Sequence, residues 1–344
     1  QQVDSRAWQD RSVPEIVEEV LKDGLSPYHR QVRLELASQD YPKREYCTQF
    51  RESDLGFVSR LLEEEGISYY FEHEAGAEVM VLVDHNARFP LLSSKVESDA
   101  VPILDIEVET AGLESVQSFV WTRRVQSTSV VQSDFDFVRP EAPQVYAEPG
   151  GDEEGREREV YVHDEQVFTD DGARRARMRR EQGMVLGKLA RGEGNVTAFM
   201  PGLRFRLVDH RRTELDQFYV LRRVKHSGAC PEELVELARA EAPPRYINEF
   251  ECVPESVIVR PERRHFKPRV HGPTTATVTG PASEEVHTDE FGRIKVIFPW
   301  DRLSPRDDTS SWWVRVAQSW AGPGWGSLWL PRIGMEVVIE FLDG

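Results

Sequence analysis

A chain of 344 residues is long enough for two or three domains. Sixty acidic against 43 basic residues give a net charge of −17, which argues against a nucleic-acid binder, because such binding depends on cationic contacts to phosphate. No apolar run approaches the length of a membrane span, so no membrane anchor is expected, and Cys47, Cys230 and Cys252, far apart and without a CxxC pair, read as buried free thiols rather than disulfides or a metal site.

Ser12-Val13-Pro14-Glu15 has the form of a capping box, so a helix should follow, with Ile16, Val17, Val20 and Leu21 on its apolar face and Gly24 as its stop. Gln31 to Leu36 alternates as a strand. Ser53 can cap a second helix, with Asp54 at its positive end and Leu55, Val58, Leu61 and Leu62 facing inward. Glu63, Glu64 and Glu65 fall at that helix's C-terminal end, where the dipole disfavours them. They read as a solvated face, with an acidic site as the sharper alternative. Ile67 to Glu72 and Glu78 to Val83 read as a hairpin.

Ile103 to Val138 is strand-like. Pro140 to Arg158, which contains EPGGDEEGRER, is expected to be an exposed loop, and strand-like sequence resumes at Val160. Gly172 to Leu189 reads as a long helix bearing Arg174, Arg175, Arg177, Arg179 and Arg180. In so acidic a chain these read as a polar face pairing with carboxylates rather than as a nucleic-acid patch. Asn195 to Ser227 reads as strands with a turn at Pro201-Gly202. Arg260 to Pro268 is a basic, proline-bearing linker, and the main boundary is placed near Arg264. From Arg263 onward there are ten basic and ten acidic residues, so the acidity belongs to the first 262.

Six of the eight tryptophans follow His287. Alternation and glycine-rich turns predict short strands near Thr277, Ile294, Trp313, Leu328 and Val337, a small Greek-key barrel of the OB kind. A barrel this small has little interior for six indoles. Trp313 and Trp329 are assigned to its core. Trp300, Trp312, Trp320 and Trp325 are the interface candidates, with the last two, around Gly322-Pro323-Gly324, nearest a contact between copies.

HTDEFGRIKVIFPWDR, then SSWWVRVAQSWAGPGWGSLWLPRIGMEVVIEFLDG, resembles the OB-fold domain of VgrG, the spike protein of type VI secretion systems. Tyr46 to Tyr70 and Trp8 to Leu25 resemble the same family's hub region. The resemblance implies a mainly β fold with α/β elements: a hub region with an Hcp-like β-barrel and packing helices, followed by a C-terminal OB-fold five-stranded barrel. Residues 1–100 would be part of the hub, 101–263 its barrel domain with the helix at 172–189, and 264–344 the OB domain. The family's hub carries two related barrels per chain, and the first is expected to be missing or incomplete here. The resemblance further implies a homotrimer that caps the hexameric Hcp tube, a shaft whose tip binds a PAAR protein, and effectors or adaptors as cargo. Such a spike is assembled in the bacterial cytoplasm and then secreted or injected into a target cell.

No Walker loop, HExxH, GxSxG or kinase signature occurs, and the nine histidines show no ligand spacing on one helix. His287-Thr288-Asp289 precedes a turn and reads as part of it. No catalytic, cofactor or metal residue is therefore assigned. Three other readings stay open: a spike whose catalytic domain lies outside this chain, the hub of a phage or other contractile tail, and an OB-fold oligonucleotide binder. The last is disfavoured by charge.

Overall fold

The computed structural model describes residues 3–74, 76–104, 113–136, 139, 141, 142, 144–152, 155–163, 171–228, 246–304, 307, 312–322 and 324–341, without the side chains of Glu74 and Trp312. Two compact units interleave along the chain. Residues 1–24, 41–61 and 263–344 form one, and residues 25–40 and 62–262 form the other.

The larger unit is built on a six-stranded sheet. Its order is Ala100–Pro102, Arg204–Val208, Phe218–Ser227, Ile247–Pro254, Lys188–Gly194 and Val116–Arg123. Every pairing is antiparallel except that of Ala100–Pro102 with Arg204–Val208. A parallel bridge from Ile103 to Val116, with the Leu104 N–H donating to the Val116 carbonyl at 2.9 Å, joins the two edges and closes the sheet into a barrel. Its core holds Phe199, Phe205, Tyr219 and Phe250, with ring centroids 4.8 Å apart for Phe199 and Phe205 and 5.2 Å for Phe199 and Phe250. Gly192 makes room for this packing, since a Cβ there would lie 2.3 Å from Phe250. The buried Tyr219 hydroxyl donates to the Leu215 carbonyl at 3.0 Å, so its polar end is satisfied.

A second apolar layer lies on this barrel. Val79, Val81 and Val83, from the strand Ala77–Val83, cluster with Val220 and Val253. That strand pairs with Ser68–Glu74 as the expected hairpin and with Gln31–Glu35 in parallel. A third sheet centres on Ser129–Asp134, between Glu159–His163 and Gln144–Glu148. The expected loop at 140–158 thus contains a strand, whose antiparallel register with Ser129–Asp134 satisfies its backbone. Pro140, Pro143, Glu153 and Glu154 of that stretch lie outside the described residues, as do 105–112 and 137–138.

In the smaller unit, Val3–Ser12 pairs with Lys43–Ser53. Helix α1 (Val13–Leu25) buries Ile16, Val17, Val20 and Leu21 as the spacing requires, but it runs through Gly24 to Leu25. Its capping box is one-sided: the Glu15 carboxylate accepts from both the backbone N–H and the hydroxyl of Ser12. Helix α2 (Asp54–Glu65) is capped by the Ser53 hydroxyl, which accepts from the Gly56 N–H at 3.1 Å. Leu55 stands exposed rather than inward. Phe57 takes the inward position, where it stacks on Trp8 at 5.1 Å and rotates the buried face toward Phe57, Val58, Leu61 and Leu62.

The reading of Glu63, Glu64 and Glu65 as a solvated face is overturned: all three are buried, Glu65 to 3% exposure. Partners of Glu63 and Glu65 lie more than a hundred residues downstream on α3 (Gly172–Gly187), which ends two residues short of the expected Leu189. Arg174 binds Glu65 and also donates to Asp171 from Nε at 2.5 Å, Arg175 reaches both carboxylates, and Gln182 donates to the Glu63 carbonyl at 2.9 Å. Burial opposes the Arg174 charge, but the hydrogen bond to Asp171 and the Glu65 charge outweigh it and raise its pKa. The arginine helix, read as a face pairing with carboxylates, does so at Glu65, which Arg174 and Arg175 both reach.

The C-terminal barrel has four of its five expected strands. Trp312–Val314, Ile294–Ile297, Thr274–Thr279 and Glu336–Ile339 form one antiparallel sheet in that order. Ala276, Val278, Ile294, Val296, Phe298 and Ile339 fill its core. Leu328 is not in a strand. Gly326, two residues before it, has φ of 123°, and the Trp329 backbone is satisfied by a side chain instead of a ladder. The remaining pairing is a small hairpin of Ala321–Gly322 with Trp325–Gly326. Cys47 and Cys252 are buried free thiols, and Cys230 lies outside the described residues. Among the described residues no helix is long and apolar enough to cross a membrane.

Candidate interface on the tryptophan-bearing barrel

The hairpin at Ala321 to Gly326 sets two indoles on the surface. Trp320 is 66% exposed and Trp325 is 58% exposed, edge to face with centroids 5.9 Å apart. Glycines make this possible. A Cβ on Gly322 would sit 2.3 Å from the Trp325 ring, and one on Gly326 would lie 2.5 Å from the Trp320 carbonyl. Gly324 and Gly326 also hold φ of 75° and 123°, which side-chain-bearing residues rarely adopt. The Ser327 N–H closes the hairpin onto the Trp320 carbonyl at 2.8 Å. The hairpin backbone beneath the pair is therefore set by its own turn.

Trp329, assigned to the core by the sequence pattern, is instead 71% exposed. The Gln318 side chain clamps its backbone, accepting from the Trp329 N–H at 2.9 Å and donating to its carbonyl at 3.1 Å. Outside a strand, nothing turns this indole inward. Leu328, Met335 and Val338 are exposed as well. The sequence carried a signal for this: Leu328, Trp329 and Leu330 are consecutive and precede Pro331, so alternation could not bury all three.

Trp313, the other indole assigned to the core, lies half-buried between His287, stacked at 5.3 Å, and Lys295, whose Nζ is 5.0 Å from the ring centroid. The core proper is complete without it. Trp300 is half-buried against the core, stacked on Phe298 at 5.1 Å and edge-on to Phe50 at 5.5 Å. Trp312 pairs its backbone with Val296, and its side chain lies outside the described residues. Of the four interface candidates, the structure brings together Trp320 and Trp325.

The surrounding charges are committed to structure. His287 Nδ1 lies 2.7 Å from Glu284. Asp289 accepts from the backbone N–H groups of Phe291 and Arg293 and from the Arg293 guanidinium. Burial alone would raise the Asp289 pKa, but these hydrogen bonds outweigh it and hold the carboxyl below its ordinary value. Asp301, buried and accepting from the Ser304 N–H at 3.2 Å, is pushed above it by burial. Among the described residues no group of three or more His, Cys, Asp or Glu is placed to hold a metal ion.

The closed six-stranded barrel and the small antiparallel barrel after it fall largely in stretches that match tail-hub and injector families. Residues 1–231 match the phage tail baseplate hub (GPD) family, and residues 276–344 match the type VI secretion system/phage-baseplate injector OB domain. The chain belongs to the phage tail baseplate hub family.

Type VI secretion system spike protein VgrG5 of Pseudomonas aeruginosa is 37% identical over 355 residues, covering 99% of this chain and 44% of that protein. VgrG1b of the same organism is 34% identical over 344 residues, covering 99% and 45%. The Vibrio cholerae actin cross-linking toxin VgrG1 is 33% identical over 345 residues, covering 99% and 30%. The chain thus spans less than half the length of these relatives. Among solved structures, the E. coli c3393 protein, a component of the type VI secretion system similar in structure to the T4 bacteriophage tail proteins gp27 and gp5, superposes with a TM-score of 0.64. It is 22% identical, with 100% of this chain and 71% of that chain covered, so the likeness is one of fold.

Proposed function

We propose that this chain forms the hub and OB part of a homotrimeric type VI secretion spike. Three copies cap the hexameric Hcp tube, and a shaft following the OB domain carries a PAAR tip and the effectors or adaptors to be delivered. The functional division follows the family's order: hub residues 1–100, hub barrel 101–263, OB domain 264–344. Trp320 and Trp325 lie nearest the contact between copies, with Trp300 and Trp312 as its further candidates. The observation that carries the reading is the exposed Trp320–Trp325 pair on a domain whose nine basic and ten acidic residues nearly balance, since aromatic residues are enriched at interface cores and nearly neutral copies approach without strong repulsion. These residues perform no catalysis, and any catalytic domain lies elsewhere in the protein. Assembly takes place in the bacterial cytoplasm, followed by injection or secretion.

The test uses the full-length protein. Replacing Trp320 and Trp325 together by Ala should weaken self-association in analytical ultracentrifugation by about tenfold or more, and should leave the circular dichroism unchanged. Unchanged association would remove the hairpin from the contact. The family match is equally compatible with the hub of a phage or other contractile tail, and the neighbouring genes separate the two.

A further inference from the structure

The turn Asp84-His85-Asn86 carries two buried polar side chains, Asp84 at 7% exposure and Asn86 at 2%. The Asp84 carboxylate accepts from the backbone N–H of Ala37 at 2.6 Å and of Ser38 at 2.9 Å. Asn86 Nδ2 donates to the carbonyls of Glu255 and Val257, each at 2.8 Å, and its Oδ1 accepts from the Val259 N–H at 2.9 Å. The Asp84 carbonyl accepts from Arg260 Nη1 at 2.7 Å, and the same nitrogen reaches the carbonyl of Gly66 at 3.0 Å. Arg260 is held in turn by Glu181 of α3, with Nε 2.8 Å from the carboxylate. One three-residue turn therefore fastens segments 37–38, 255–259, 260 and, through Arg260, the end of α2.

The fastened positions coincide with the exits of the larger unit. The chain passes between the two units after residues 24, 40, 61 and 262. Ser38 lies two residues before the second passage, Gly66 five residues after the third, and Arg260 two residues before the fourth. The last turn of α2 is fixed twice over. The Ile67 N–H donates to the Leu62 carbonyl at 2.8 Å, and Gly66 adopts φ of 67° with Met178 packed where a Cβ would be. Segments 37–38 and 255–260 lie outside the strands, and the backbone bonds at the second are those of the Glu255 N–H to the Phe218 carbonyl and of the Val257 N–H to the Pro254 carbonyl, each at 2.9 Å. Their backbone groups would fray first if left to water, since the borders of a cooperative unit open at the lowest free energy. The buried Asp84 and Asn86 side chains that accept from and donate to these segments make such opening costly, because each abandoned group would be left unsatisfied.

We propose that Asp84, Asn86 and Arg260 act as one fastening that holds three of the four chain passages of this unit closed, so that displacement of the chain beyond them does not unravel the hub barrel from its borders. The inference rests on hydrogen-bond geometry within one unit and is independent of trimer formation.

Hydrogen exchange followed by mass spectrometry on the full-length protein tests it. In Asn86→Ala, exchange should rise about tenfold or more in 36–39, 62–68 and 255–260 together, while the barrel strands Lys188–Gly194 and Arg204–Val208 keep their protection. A rise confined to 255–259, or one spread evenly over the barrel, would overturn the proposal. Arg260→Lys keeps the charge but loses the guanidinium fork, and it should give the same three-segment pattern even if Asn86→Ala does not fold. Global loss of protection in both variants, or no change in either, counts against a fastening.

Discussion

In the hub barrel, Phe199, Phe205, Tyr219 and Phe250 point into a closed interior and touch one another. In the C-terminal barrel the interior is five aliphatic side chains and Phe298, while Trp320, Trp325 and Trp329 stand in solvent. The two barrels thus use aromatic surface in opposite ways, and the reason is size. A six-stranded barrel that closes through the Ile103–Val116 bridge encloses enough volume for ring-on-ring packing. A four-stranded sheet with strands of three to six residues does not. The hub barrel finishes its own burial, whereas the smaller barrel leaves indoles of its own exposed.

The sharpest break of this contrast is a ring removed from the hub core. Phe205→Ala should cost about 3–5 kcal/mol in urea denaturation, because the rigid ring cluster cannot collapse onto the cavity. A loss below about 1 kcal/mol would show the interior to be loosely packed. Next in size is Arg174→Ala, which leaves the buried Glu65 carboxylate without its nearest cation. About 3 kcal/mol should be lost, and Glu65→Gln in the same background should recover part of it.

A smaller effect is expected in the C-terminal barrel from Asp289→Asn, about 1 kcal/mol at neutral pH. The Asp289 carboxyl titrates below its ordinary 3.8 in the folded state, so its stabilisation is present above that value and is lost as the pH falls through the folded pKa. Stability curves of the two proteins should therefore converge below about pH 4. A difference that is constant with pH would mean that the turn depends on shape rather than charge. Smallest of all, Trp320→Ala should change the stability of the separated chain by no more than about 0.5 kcal/mol, since an exposed indole contributes little to its own fold. A loss of several kcal/mol would place that indole in a core after all.

Much of this architecture was legible in the sequence because it is local. Period-two alternation at Ile294, Val296 and Phe298, the apolar face of α1 and the hairpin at 68–83 follow from spacing alone. Failures came where a distant partner decides. Glu65 looked solvated because its arginines, Arg174 and Arg175, lie more than a hundred residues away. Gln144–Glu148 became a strand because Ser129–Asp134 offered it an edge, against its acidic and proline-rich surroundings. Trp329 was misplaced because strand alternation was extended through Leu328, where Gly326 and the Gln318 clamp end it. For the interface the sequence identified an excess of indoles, but not which of them a hairpin would expose.

The central claim, that the exposed indole pair of the C-terminal barrel is covered by further copies of the same chain, is tested most directly by the mass of the full-length protein in solution. Multi-angle light scattering should return three times the chain mass across the eluting peak, with the Trp320→Ala, Trp325→Ala double variant shifted toward the single-chain mass on dilution. A single-chain mass for the unaltered protein at high concentration would contradict it.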